Sequence, residues 1–156
     1  MNIFYIDDSP VLAAQMQVDR HVVKMVVEAA QLLCTTHRVL DHADSSILYK
    51  ETHKNHPCAK WCRESLENYE WLYCHFCALC DEYTHRYGKI HLTDYKLREV
   101  LKEVPRNIPR LGFTAVAQAM PLQYKHENPV VAYRTYYTGE KNKLAVWTKR
   151  DKPNWY

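Results

Sequence analysis

The sequence predicts an all-α protein, a single compact helical domain over residues 1–156 with two long helices and irregular connecting loops. Three observations carry that prediction. Only 3 of the 156 residues are glycine, which leaves few positions for the positive-φ turns and bulges of a mainly β fold. Residues 19–40 and 57–87 carry apolar side chains at helical spacing. Helix start and stop residues bracket the apolar runs. With 47% apolar and 25% charged residues, the composition is that of an ordinary globular chain able to build a core.

The elements follow in order. Asn2 to Ile6 is a short apolar opening segment. Ser9 and Pro10 are an N-cap and a proline at the first helical position, opening a short helix to about Gln17. Asp19 is expected to cap the next helix, which runs to about Leu40. Residues 41–55 form a polar loop. Pro57 starts a long helix that Gly88 terminates, glycine being the usual residue just past a helix end. Thr93 is expected to cap a helix that Pro105 stops. Residues 105–112 read as a basic loop, and the apolar segment 113–120 ends at Pro121. Asn128-Pro129 opens a last helix, with Gly139 as its expected stop. The tail is basic and aromatic.

Several function classes drop out. Gly88, Gly112 and Gly139 stand alone, so there is no glycine-rich phosphate loop. No stretch approaches the roughly 18 to 20 apolar residues of a membrane helix. The N-terminus lacks the basic and apolar regions of a signal peptide. A cytoplasmic location is expected, where the six cysteines stay reduced. Net charge is +3, unevenly spread. Residues 1–52 hold 4 basic and 7 acidic groups, residues 53–124 hold 10 and 8, and residues 125–156 hold 7 and 3.

Residues 19–40 are the most informative segment. His21, Lys24, Glu28, Gln31, Thr35 and Arg38 recur every three or four positions, forming one narrow polar stripe on an otherwise apolar helix. Two readings stay open: the seam faces solvent, or it lines a cleft with Glu28 as a working carboxylate beside His21 and Lys24. A carboxylate in a water-poor cleft can be tuned toward proton transfer.

Cys58, Cys62, Cys74, Cys77 and Cys80 include CxxC spacings, a zinc signature. If 58–87 is one helix, Cys62 and Cys74 stand roughly 18 Å apart along its axis, too far to share an ion. Cys62 and Cys80 also fall on a heptad stripe with Leu66, Tyr69, Tyr73, Phe76, Tyr83 and Tyr87, which reads as a core face. No His-x-Glu occurs, so the zinc-deaminase pattern fails. No metal is expected. In the C-terminal segment Arg134, Tyr136, Tyr137, Lys141, Lys143, Trp147 and Arg150 interleave rings with positive charge. That mixture suits nucleic acid, with cations on phosphates and rings on bases. It equally suits a terminal helix packed on the core by its rings.

Taken together, these segments resemble the pyrimidine-dimer DNA glycosylase family, of the phage endonuclease V type and its bacterial relatives. The residues that carry the resemblance are Met1-Asn2-Ile3-Phe4; Asp19-Arg20-His21 with Glu28 seven residues after His21; Lys54-Asn55-His56-Pro57; Glu82 with Arg86-Tyr87-Gly88; and, more loosely, Tyr133 to Lys141. The resemblance implies a compact all-α fold and a mechanism without a cofactor. In that mechanism the N-terminal α-amine attacks the sugar C1′ of a damaged nucleotide. The base leaves, an imine to the sugar forms and β-elimination nicks the strand. An α-amine has a pKa of about 7.7 to 8.0, so a usable fraction is neutral near pH 7.

By position the resemblance makes Met1 the nucleophile and Glu28 the essential carboxylate, with Asn2, His21, Lys24, Gln31 and His56 around the substrate. It makes DNA the partner, with no membrane and no obligate protein partner. The chain departs from the family pattern in lacking arginines beside Glu28, where Val27 and Gln31 stand, and at position 2, where Asn2 stands. The expected function is base-excision N-glycosylase, with AP-lyase activity. Two alternatives stand beside it: a non-catalytic nucleic-acid-binding protein on the same fold, and a glycosidase or modifying enzyme acting on nucleotides or modified phage bases.

Overall fold

The computed structural model describes residues 1–156, with residue 144 described by its backbone alone. Six α-helices make up the fold: α1 (Pro10–Gln15), α2 (Asp19–Asp41), α3 (Pro57–Glu64), α4 (Leu66–Tyr87), α5 (Leu92–Lys102) and α6 (Pro129–Glu140). Short 3-10 turns lie at Leu122–Tyr124 and Asn142–Leu144. No strand occurs among the described residues, and no described helix is long and apolar enough to cross a membrane.

The two long helices α2 and α4 pack on each other, with α1 against α4 and α3 and α5 against both. Apolar residues of α2 such as Met25, Val26, Ala30 and Leu33 meet Tyr69, Leu72, Phe76 and Leu79 of α4 in one core. The opening segment is part of it: Ile3, Phe4, Tyr5 and Ile6 are all buried. Irregular backbone inside a core must satisfy its polar groups. Asn2 does this locally, its side-chain oxygen accepting from the N–H groups of Ile3 at 2.8 Å and Phe4 at 3.1 Å.

Several helix ends form as their sequences predict. Ser9 accepts from Leu12 N–H, and Asn128 accepts from the N–H groups of Val130 and Val131. Gly88 closes α4 in the left-handed conformation, φ 69°. Other ends differ. The single helix expected from Pro57 to Gly88 breaks at Ser65, whose backbone is extended. The cause is a distant segment: Leu66 N–H donates to Pro109 O, and Ser65 Oγ accepts from Leu111 N–H. Asp19 is not the cap of α2 but its first residue, and its carboxylate is used elsewhere. His91 rather than Thr93 caps α5, while the buried Thr93 bonds the Tyr49 hydroxyl. Gly139 does not stop α6; it lies inside the helix, which Lys141 caps.

The cysteines take core and surface places. Cys34, Cys58, Cys62 and Cys80 are buried, and Cys62 Sγ accepts from the Thr36 hydroxyl. Burial pushes the thiols of Cys58 and Cys62 up to about 12.

Candidate active site

The polar seam of α2 is largely covered, Lys24 alone of its residues being exposed, and different segments cover its two ends. At the C-terminal end Arg38 donates to the carbonyls of Ala43, Ser45, Leu48 and Tyr49, stitching down the following loop. The buried Thr35 exchanges hydrogen bonds with the backbone of Thr52. At the N-terminal end the chain's own first residues lie over the seam and leave a small cleft of about 150 Å³. Met1, Asn2, His21, Lys24, Glu28, Tyr136 and Lys141 are among the residues lining it.

Glu28 is the centre of this cleft. Its Oε2 lies 3.8 Å from the Met1 nitrogen and accepts from the Asn2 N–H at 3.2 Å. Its Oε1 lies 3.0 Å from Lys24 Nζ, one helical turn earlier. The Glu28 side chain is 12% exposed, whereas that of Lys24 is 68% exposed. Asn2 anchors the arrangement from the other side by donating its side-chain amide to Ala119 O at 2.9 Å. Phe4 holds a positive φ of 44°, a strained conformation for a bulky residue. In it the ring stacks on His21 at 4.5 Å between centroids.

His21 is held neutral. Burial, reinforced by the charges of Lys141, Lys24 and Arg20, pushes its pKa down to about 4. Its Nδ1 lies 2.9 Å from the Tyr137 hydroxyl. That hydroxyl also accepts from Val18 N–H. His56 caps α3 through Nδ1. Its pKa is lowered by burial and by the nearby terminal ammonium, which puts it in the electrostatic reach of the same site. Gln31 does not line the cleft.

The C-terminal residues separate into two groups. Tyr136 and Lys141 line the cleft, with Lys141 Nζ 5.2 Å from the Tyr136 ring centroid. Lys143 is exposed. The others serve the fold. Tyr137 is fully buried beneath His21 and presents no surface to DNA. Arg134 donates to Ile6 O and pairs with Asp7 at 3.0 Å. Trp147 donates its indole N–H to Met16 O. Arg150 pairs with Glu82 at 2.8 Å. Glu82 is itself bound by Arg86, which reaches on to Asp19. This ion network ties α2, α4 and the tail together; the Arg150 and Arg86 guanidiniums hold the Glu82 carboxyl below its usual range, and hydrogen bonds from Thr148, with Arg86, do the same for Asp19. Among the described residues no three histidine, cysteine or acidic side chains converge as a metal-ligand set.

Two contributors were missed by sequence reasoning. Phe4 supports His21 through a positive φ that no residue type announces. The Ala119 carbonyl that anchors Asn2 is backbone, and carries no sequence signal at all.

The fold and cleft define an all-helical protein in which a terminal amine faces a helix carboxylate in a cleft that two lysines help to line. The chain belongs to the pyrimidine dimer DNA glycosylase family, whose family model matches residues 1–96, more than half of its length. No curated protein and no solved structure matches it. Ala119, Tyr136 and Lys141, which complete the cleft, lie beyond the matched residues.

Proposed function

We propose that the protein is a DNA base-excision N-glycosylase with AP-lyase activity that uses the Met1 α-amine as nucleophile and Glu28 as its carboxylate. The observation that carries this reading is the 3.8 Å approach of the Met1 nitrogen to Glu28, in a chain of the glycosylase family. An ammonium has no lone pair, so its proton must leave first, and Glu28 is the acceptor within reach. The neutral amine then attacks C1′, and the base departs with the electron pair of the C1′–N bond. Opening of the sugar ring leaves an imine between the amine and C1′. Loss of a C2′ proton expels the 3′ phosphate and nicks the strand. Lys24 and Lys141 supply positive charge at the cleft mouth for the flanking phosphates. Tyr136 offers a ring face to the extruded nucleotide. His21 and His56 act as neutral, positioned groups, and Lys143 adds to the exposed positive surface.

The test is borohydride trapping on ultraviolet-irradiated and abasic duplexes. A covalent adduct mapping to the N-terminal peptide, and lost when the α-amine is acetylated, is the expected result. Absence of any adduct, or an adduct indifferent to acetylation, overturns the amine mechanism. Salt-sensitive DNA binding without trapping would instead favour a non-catalytic binding protein.

A further inference from the structure

The 3-10 turn Leu122–Tyr124 takes no part in the chemistry above, yet it is built with care. Leu122 is 83% exposed, and Pro121 and Gln123 beside it are exposed as well. A single exposed leucine is ordinary; an exposed leucine on so firmly held a turn is not. Tyr124 N–H donates to Pro121 O at 3.0 Å and Lys125 N–H to Leu122 O at 3.1 Å. Gln118 brackets the next residue, donating to His126 O at 2.6 Å and accepting from His126 N–H at 3.1 Å. The Tyr124 hydroxyl donates to Glu140 at 2.8 Å.

The Tyr124 ring lies so close to α6 that a Cβ at Gly139 would sit 2.9 Å from it. Gly139 is therefore in the helix to let the ring approach, which explains a glycine where helix propensity disfavours one. The same ring meets Tyr136 at 5.4 Å, and Tyr136 is a wall of the Met1–Glu28 cleft. The leucine tip is thus coupled through two rings to the candidate active site. Lys125 follows it directly, Lys141 lies over Tyr136, and the carboxylate of Glu140 is engaged by Tyr124; Glu127 is the remaining acid of this stretch.

Glycosylases gain access to their site by taking a nucleotide out of the stack, which leaves a gap behind. Apolar side chains such as leucine enter base steps in this way, beside cations that hold the backbone. We propose that Leu122 is a wedge that enters the base stack next to the extruded nucleotide, held in register with the Met1–Glu28 pair by Tyr124 and Gly139. The proposal rests on the glycosylase reading of the cleft.

Two readouts separate the two ideas. The first is borohydride trapping on an abasic site in a duplex and in the same strand unpaired. The second, independent of chemistry, is the fluorescence of 2-aminopurine beside a tetrahydrofuran abasic analogue in a duplex titrated with protein. Unstacking is needed only in the duplex, so Leu122→Ala is expected to slow duplex trapping about tenfold or more and single-strand trapping by less than about twofold. It should also abolish the rise in 2-aminopurine fluorescence. Leu92→Ala, at another exposed leucine, on α5, should change neither. Equal slowing on both substrates, or a fluorescence rise that survives Leu122→Ala, overturns the wedge. A Leu122-dependent fluorescence rise without wild-type trapping overturns the amine chemistry and leaves the wedge standing. No trapping and no rise overturns both.

Discussion

One carboxylate oxygen of Glu28 serves both Asn2 and the chain terminus: Oε2 accepts from the Asn2 N–H at 3.2 Å while lying 3.8 Å from the Met1 nitrogen. The acid is thereby tied to the backbone that carries the amine. Glu28→Gln keeps the size of the side chain but removes the base. Trapping on abasic duplex should fall by about 100-fold or more, with thermal stability little changed. A variant that traps at the wild-type rate would remove Glu28 from the chemistry.

Asn2 is a positioning residue. Its side chain donates to Ala119 O and accepts from two backbone N–H groups, so Asn2→Ala frees the first residues of the chain. The trapping rate at saturating DNA should drop by about tenfold or more, because a small misplacement of a nucleophile is costly. DNA affinity should be nearly unchanged. A loss confined to affinity would contradict a positioning role.

The buried network around Arg86 holds the fold. Arg86→Ala takes a buried guanidinium from Glu82 and Asp19 and leaves them only Arg150 and Thr148, an expected loss of about 3 kcal/mol in urea or thermal unfolding. Both carboxyls titrate below their usual values when folded. Their contribution is complete above the unfolded-state carboxyl range, near pH 4 to 4.5, and is lost as pH falls through the lower folded values. Acid unfolding of Arg86→Ala should therefore begin at higher pH than that of the wild type.

His21 and His75 give stability a second pH dependence. Burial lowers both to about 4. His75 is fixed as neutral by donating to Pro10 O and accepting from Gln17. Below about pH 6.5 the unfolded chain takes up protons that the folded chain refuses until about pH 4, so stability falls with pH by up to about 1.4 kcal/mol per unit for each histidine. Urea midpoints measured across this window should show the slope, reduced by one proton in His21→Asn. A flat profile would contradict neutral, buried imidazoles.

Gly139→Ala improves helix propensity by about 1 kcal/mol but drives a methyl into the Tyr124 ring. The far end of that ring can swing away, so stability should change little while the Tyr124–Glu140 bond is lost. The variant should reproduce the duplex-specific defect of Leu122→Ala. Wild-type behaviour on duplex DNA would show that the packing of Tyr124 on α6 is not needed to present the turn.

What the sequence made legible was local. Ser9, Asn128 and Gly88 act through neighbours a few residues away, and the spacing of Lys24 and Glu28 puts them together on any helix. Family membership and the all-α class follow from features of that kind. What stayed hidden was decided at long range. Nothing near Ser65 announces that residues 109–111 will take its hydrogen bonds. Arg134 and Arg150 read as phosphate ligands until Asp7 and Glu82, more than sixty residues away in sequence, are seen to hold them. Gly139 reads as a helix stop because its reason, the Tyr124 ring, comes from a separate turn.

The anchoring of the opening segment has a consequence for the order in which the site comes into being. Asn2 is held by Ala119 and Ile6 by Arg134, so the opening segment is fixed by residues that follow it much later in the chain. Until α6 has emerged, the amine is a loose chain end. A nascent or C-terminally truncated chain therefore carries both reactive groups but has nothing to hold them face to face.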